Sequence, residues 1–351
     1  MSHVSSNTNF IVQRKINIAT YLNTFFPNVI SKLISEYDYY LEGKSYVLPG
    51  HSDKITKIVT LPDGRIASSS LDKTIKIWNL QTGLCDVTLT ETSRLSCLSV
   101  LPDGRIVIVL NNTSIKIWNP FGPLRQPETK IYDIAFHTFF QYIHYIYTLP
   151  DGHIIIEDGD NIDIWKPFEG LSSRTHSKTY CTDLIDDDNL PRVHNILPDG
   201  RIIMGLYGEL LGIYNTQTNT YDIKFEERND LLGGVELYID GRIIAYHFTN
   251  GKISIKLWNI QTGKCEFIIP IEREPNDWVS RKNFKVLPDG RIITVDDNVL
   301  KVFNLHSRKY DIIHIAPFDP NQVEDIINVI EILPDGRIAS CLNDKTISIW
   351  S

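Results

Sequence analysis

The chain has no apolar run approaching the roughly 18 residues that a membrane-spanning helix needs. Its first twenty residues place Arg14 and Lys15 among Ser and Asn, where a secretory leader would carry an apolar stretch. Secretion and membrane insertion are therefore not expected. An excess of positive charge is also missing: 35 basic residues face 43 acidic ones, a net charge of -8. Nothing global draws the chain to nucleic acid or anionic lipid, and neither is expected as a partner. Cysteine is sparse. Cys85, Cys97, Cys181, Cys265 and Cys341 are odd in number, far apart and without a CxxC pair, which fits reduced thiols of a cytoplasm better than disulfides or zinc. The 351 residues are 42% hydrophobic and 22% charged, so a large core is available and disorder is not expected.

What the sequence does have is repetition. Leu61-Pro62-Asp63-Gly64-Arg65-Ile66 recurs unchanged at 101–106, 197–202, 287–292 and 333–338. Two further copies are altered: His153 replaces the Arg at 149–154, and Tyr238-Ile239 opens the copy at 238–243. The turn glycines are spaced by about 45 residues, the range of propellers and solenoids. A second landmark stands 13 to 17 residues beyond each glycine, at Trp78, Trp118, Trp165, Tyr214, Trp258, Phe303 and Trp350. Two landmarks in register, seven times over, define seven units.

Within each unit the apolar period is two rather than 3.6. Ile55, Ile58 and Thr60 lead to the Asp63-Gly64 turn, as Leu95, Leu98 and Val100 lead to the next and Ile327, Ile330 and Ile332 to the last. Asp-Gly between two such runs signals a hairpin, since glycine accepts a positive φ and Asp bonds nearby backbone. A third strand ends on the aromatic (Thr74 to Trp78, Ser114 to Trp118, Ser254 to Trp258, Thr346 to Trp350). A turn such as Gln81-Thr82-Gly83 then leads to a fourth, such as Cys85 to Leu89 or Cys265 to Ile269. Each unit is expected to be a four-stranded antiparallel meander.

Gly50-His51, then Pro62-Asp63-Gly64-Arg65, then Asp72-Lys73-Thr74-Ile75-Lys76-Ile77-Trp78-Asn79 resembles a WD40 repeat, with Asn in place of its closing Asp. The resemblance extends over residues 44–351 and implies an all-β, seven-bladed WD40-type β-propeller, with residues 1–43 as a short N-terminal helical segment. The recurring Pro-Asp-Gly-Arg phrase in an Ile- and Asn-rich setting is most similar to WD-repeat proteins of large DNA viruses, which would place the protein in the host cytoplasm. In the family a buried network joins the third-strand Trp, a second-strand Ser or Thr, the His of Gly-His and a turn Asp. Carried over, this network is Trp78, Ser68 or Ser70, His51 and Asp72. Only the first unit holds the full set; the seventh keeps Ser340, Asp344 and Trp350. Tyr214 and Phe303 preserve most of the aromatic area where Trp is replaced.

The chain stops just after a third strand, at Trp350-Ser351, while Lys44 to Leu48 belong to no unit. An unpaired edge invites aggregation, so residues 44–48 are expected to supply the last blade's fourth strand and close a monomeric ring.

Other constellations read as structural. Ser, His and Asp of the first unit are better explained as mutually satisfied buried groups than as a hydrolase triad, since Ser70 lacks a nucleophile elbow. Arg65, Arg105, Arg201, Arg242, Arg291 and Arg337, with His153, would circle one rim, each two residues after an Asp that compensates it. Asp186-Asp187-Asp188 lacks the alternating spacing of a calcium loop, and His137 and His144 share no strand face with a ligating partner. No metal, cofactor or catalytic residue is expected, and no His or carboxylate recurs on the inner strands as a propeller enzyme would need.

Function is expected in what does not repeat. Trp278 is the one Trp outside the strand-three register. It lies in a loop leading into the sixth unit and is the candidate anchor for a protein partner, with Lys54, Arg94 and Arg228 as its polar surroundings. Before the first unit, Ile16 to Phe26 and then Val29, Ile30, Leu33, Ile34, Tyr37 and Leu41 follow helical spacing. Phe26-Pro27-Asn28-Val29-Ile30 resembles the opening helix of an F-box, which implies an adaptor of a ubiquitin ligase as the alternative to a plain helical cap. The expected function is a non-enzymatic protein-interaction scaffold.

Overall fold

A computed structural model of the chain describes residues 44–121, 132–137, 143–157, 162–167, 191–206, 211–218, 220–225, 231–249, 252–271, 284–296, 299–305, 309–315, 329–341 and 345–350. Among them there is no helix. Strand β1 (Lys44–Leu48) precedes blade 1, which comprises β2 (Ile55–Thr60), β3 (Ile66–Ser70), β4 (Thr74–Asn79) and β5 (Leu84–Thr90). Blade 2 has β6 (Leu95–Val100), β7 (Ile106–Leu110), β8 (Ser114–Trp118) and β9 (Tyr132–His137). The described part of blade 3 has β10 (Tyr145–Thr148), β11 (Ile154–Glu157) and β12 (Ile162–Trp165). Blade 4 contains β13 (Pro191–Ile196), β14 (Ile202–Leu206), β15 (Leu211–Asn215) and β16 (Thr220–Lys224). Blade 5 contains β17 (Leu231–Leu237), β18 (Ile243–Thr249), β19 (Lys252–Trp258) and β20 (Cys265–Ile271). Blade 6 runs through β21 (Phe284–Val286), β22 (Ile292–Asp296), β23 (Val299–Asn304) and β24 (Lys309–Ile315), and blade 7 through β25 (Val329–Ile332), β26 (Ile338–Cys341) and β27 (Ile347–Trp350).

Every sheet is an antiparallel meander in chain order except the last, whose order is β1-β27-β26-β25. There β1 pairs with β27, Tyr46 opposite Ile349 and Leu48 opposite Ile347. The first strands lie against one another around the axis, β2 touching both β6 and β25. The result is a closed seven-bladed β-propeller.

The repeated phrase makes one hairpin seven times. In blade 1 the Leu61 carbonyl accepts the Gly64 N–H at 3.0 Å and the Leu61 N–H donates to the Arg65 carbonyl at 2.8 Å. Pro62 presets the first turn residue, and Gly64 takes φ +86°, which a side chain would resist. The Asp63 carboxylate accepts the Arg65 N–H at 3.1 Å. The same backbone pair recurs at Leu101, Leu149, Leu197, Tyr238, Leu287 and Leu333, so Ile239 serves where Pro is absent.

Second strands are buried on both faces because each blade packs against two neighbours. In β7, Ile106, Ile108 and Leu110 join Ile77 and Leu89 of blade 1. Val107 and Val109 of the same strand join Ile154 and Ile156 of blade 3. Each of the seven seams holds such a cluster. Burying one Ile or Val contributes about 1.5–3 kcal/mol relative to exposure, so a seam of several outweighs one polar network. This is why blades 2 to 6 fold without the full set of blade 1.

Candidate functional site

The polar set of blade 1 is assembled where its loop-side turns meet. Trp78 Nε1 donates to Ser68 Oγ at 2.8 Å, and Ser68 Oγ lies 2.7 Å from His51 Nε2. His51 Nδ1 lies 2.9 Å from Asp72 Oδ2. One direction of donation satisfies all four: indole to hydroxyl, hydroxyl to Nε2, and Nδ1–H to carboxylate. Asp72 also accepts Thr74 N–H at 2.8 Å, Thr74 Oγ1–H at 2.7 Å and Ser52 N–H at 2.9 Å. Gly50 passes so close to the indole that a Cβ would come within 3.0 Å of it.

Of the two candidate serines, Ser68 is the one in the chain. Ser70 shares its strand face but donates to the Asp53 carbonyl at 2.9 Å and accepts the Asp72 N–H at 3.1 Å, bracing the turn. Register decides between them: Ile66 stands opposite Trp78, leaving Ser68 one diagonal step from the indole. Blade 7 keeps the first link, Trp350 Nε1 donating to Ser340 Oγ at 2.7 Å.

The Ser68–His51–Asp72 order is that of a hydrolytic triad, but Ser68 is 0% exposed and its oxygen is held by Trp78. A hydroxyl so enclosed meets no substrate carbonyl. Burial lowers the His51 pKa, against the opposing hydrogen bond and charge of Asp72, and favours the neutral ring. Burial alone would raise Asp72, yet the hydrogen bonds from Thr74, Ser52 and His51 outweigh it and hold the carboxyl far below its usual range.

On the opposite side, the turn side, every described turn cation is engaged by its own Asp. Arg65 Nε donates to Asp63 at 2.7 Å, and the equivalent bonds join Arg105 to Asp103, Arg201 to Asp199, Arg242 to Asp240, Arg291 to Asp289 and Arg337 to Asp335. His153 pairs with Asp151 at 2.8 Å. Among the described residues, guanidiniums reach a second carboxylate on the fourth strand in blades 1, 4 and 5: Arg65 to Asp86 at 3.4 Å, Arg201 to Asp222 at 3.4 Å and Arg242 to Glu266 at 3.3 Å. The repeated Arg thus staples the hairpin to the outer strand. In blade 7 the closing strand supplies Tyr46, whose hydroxyl accepts Arg337 at 3.0 Å and donates to the Leu80 carbonyl of blade 1 at 2.8 Å. A sequence signal existed for these second acids, since Asp86, Asp222 and Glu266 each stand eight residues after the strand-three aromatic.

The third arrangement corrects an expectation. Carboxylates do recur on the inner strands: Glu236 and Glu331 each lie five residues before a turn glycine, and Lys285 holds the same place between them. Lys285 Nζ donates to Glu236 Oε1 at 2.8 Å, and Asn195 Nδ2 donates to Glu236 Oε2 at 3.0 Å. Glu236 and Lys285 remain 20% and 31% exposed although carried on first strands that pack against one another around the axis. The Glu236 charge raises the Lys285 pKa against the cost of burial, with Glu331 adding to the rise. Glu331 is raised above its ordinary value by burial, against the attraction of Lys285 and Lys57, and Glu236 adds to the rise. This cluster links blades 4, 5, 6, 7 and 1. Equivalent positions elsewhere hold Val59, Ser99 and Tyr147, so the charges escape a search for uniform repetition.

Lys54 and Arg94 occupy corresponding places at the loop-side start of blades 1 and 2, their carbonyls accepting Leu71 N–H and Asn111 N–H at 2.9 Å each. Arg94 is exposed and Lys54 partly so. Trp278 and Arg228 lie outside the described residues, as do Asp186 to Asp188, Asp344 and the N-terminal 43 residues with their F-box likeness. No cluster of metal ligands occurs among the described residues.

Residues 43–79 match the family model WD40, described as WD domain, G-beta repeat. The match covers β1 and the first three strands of blade 1, with its complete polar set, and stops before β5. No curated protein matches the chain. The viral and F-box likenesses draw no support from these comparisons.

Proposed function

We propose that this propeller is a non-enzymatic scaffold that binds other proteins, acting as a monomer in a reducing cytoplasm. The observation that carries the reading is where the recurrent polar groups go. Ser68, His51, Asp72 and Trp78 bond one another inside blade 1, and the turn arginines are each held by an Asp. Repetition serves the fold, which leaves binding to the positions that vary. On the loop side these include Lys54 and Arg94, whose side chains make no ion pair among the described residues, together with Trp278 and Arg228.

The test is capture from the native cell with the full chain and three variants. A protein partner should be retained by His51→Ala wherever that variant is folded, and weakened by Trp278→Ala and by Lys54→Glu with Arg94→Glu. Turnover of any substrate by the purified chain that disappears in a folded His51→Ala variant would overturn the reading.

A further inference from the structure

Beyond the loop-side reading, we propose a second docking surface on the turn side of blades 1 and 2, fitted to a partner segment in which apolar and basic residues alternate. Two of the few large apolar side chains left in solvent lie there: Leu84, 65% exposed, at the start of β5, and Phe121, 44% exposed, in the turn after β8. Single exposed apolar residues are ordinary on a protein surface, but this ring is held in place. The Arg65 guanidinium of blade 1 stacks over Phe121 of blade 2, 5.1 Å from its centroid. The ring edge covers Gly104, where a Cβ would come within 2.6 Å of it. The Phe121 N–H donates to Asn119 Oδ1 at 2.9 Å, fixing the turn that presents the ring.

Arg65 also connects the two apolar residues, because besides Asp63 it reaches Asp86, two residues beyond Leu84 on the same strand. Charge then selects the occupant. Asp63 and Asp86 both draw on Arg65, and Asp103 on Arg105. Carboxylates outnumber guanidiniums at this seam, and the carboxylate side chains are the more exposed: 38% for Asp63 and 49% for Asp103 against 20% for Arg65 and 23% for Arg105. An incoming Lys or Arg meets exposed oxygens, whereas an incoming carboxylate meets guanidiniums already paired. The composition recurs on blade 5, where Arg242 stacks at 5.0 Å over Phe267 and bonds Asp240 and Glu266.

The experiment uses the full chain and two labelled peptides, one alternating Leu and Lys and one alternating Leu and Glu, read by fluorescence anisotropy and amide exchange. The Leu–Lys peptide should bind, weaken with salt, and protect the amides around Leu84 and Phe121. Phe121→Ser and Leu84→Ser should each weaken it by about fivefold or more, while Lys54→Ala and Arg94→Ala leave it unchanged. Equal binding of the Leu–Glu peptide, protection confined to the loop side, or full affinity in both Ser variants would overturn the proposal. The loop-side reading is scored separately by its own variants, so either can fail alone.

Discussion

In blade 1 the buried Asp72 carboxylate receives four hydrogen bonds, from Thr74 twice, Ser52 and His51, whereas the Glu331 carboxylate of blade 7 accepts none among the described residues and meets only the charges of Lys285, Lys57 and Glu236. Both are acids drawn out of bulk water in the same ring, yet one is held far below its usual pKa and the other is raised above it. Directed donors on the ionised form outweigh the cost of burial. Undirected charges do not. Neighbouring blades therefore meet acid and alkali differently, and the inner-strand cluster itself reaches across the closing seam, from Glu331 of blade 7 to Lys57 of blade 1.

The largest effect should come from that seam itself. Deleting residues 1–48 removes β1, exposes the edge of β27 and strips Leu48 and Tyr46 from the cluster shared with Trp78 and Ile347. Cooperative unfolding should be lost or replaced by aggregation. Deleting residues 1–43 spares β1 and should leave a sharp transition. Equal melting of the 1–48 deletion and the full chain would show that the seam needs neither cluster nor strand.

Next in size are His51→Ala and Asp72→Asn, each expected to cost about 1–3 kcal/mol at neutral pH by leaving buried partners unsatisfied. Chemical denaturation measures both. The sign in pH follows from the shifts. His51 and Asp72 bind protons less readily when folded, so their stabilisation is fully present above the ordinary values of 6.5 and 3.8 and is lost as pH falls below these toward the lower folded-state values. Smaller, and opposite in sign, is Glu331→Gln. Its raised pKa means that ionisation above the ordinary 4.5 works against the fold, so the neutral variant should gain stability as pH rises. Smallest is Arg65→Lys, which keeps the charge but loses the fork to Asp63 and Asp86 at a partly exposed pair. A change of about 0.2–1 kcal/mol is expected in the same denaturation assay.

The same contrast explains what could be read beforehand. The seven hairpins were legible because each needs Asp-Gly at one place for a backbone reason, and the aromatics were legible because each fills the same buried position. The choice of Ser68 over Ser70 was not, since period two puts both on one face and only the pairing of Ile66 with Trp78 separates them. The inner-strand cluster was hidden for a different reason. Glu236, Lys285 and Glu331 complement one another across blades, so the residues differ where the positions agree. Complementarity between units is invisible to a search for sameness. The second acids of the Arg staples, by contrast, do recur, but on the fourth strand, 21 to 24 residues beyond the Arg they serve and outside the repeated phrase.

The most direct test compares denaturation midpoints of the wild type, Asp72→Asn and Glu331→Gln at steps between about pH 2 and 8. Relative to wild type, the deficit of Asp72→Asn should shrink as pH falls below the ordinary 3.8 while the gain of Glu331→Gln grows as pH rises above the ordinary 4.5, so the two difference curves slope in opposite senses. Parallel curves, or a Glu331→Gln variant that loses stability at neutral pH, would contradict the account, because the inner-strand charges would then hold Glu331 as firmly as the donors of blade 1 hold Asp72.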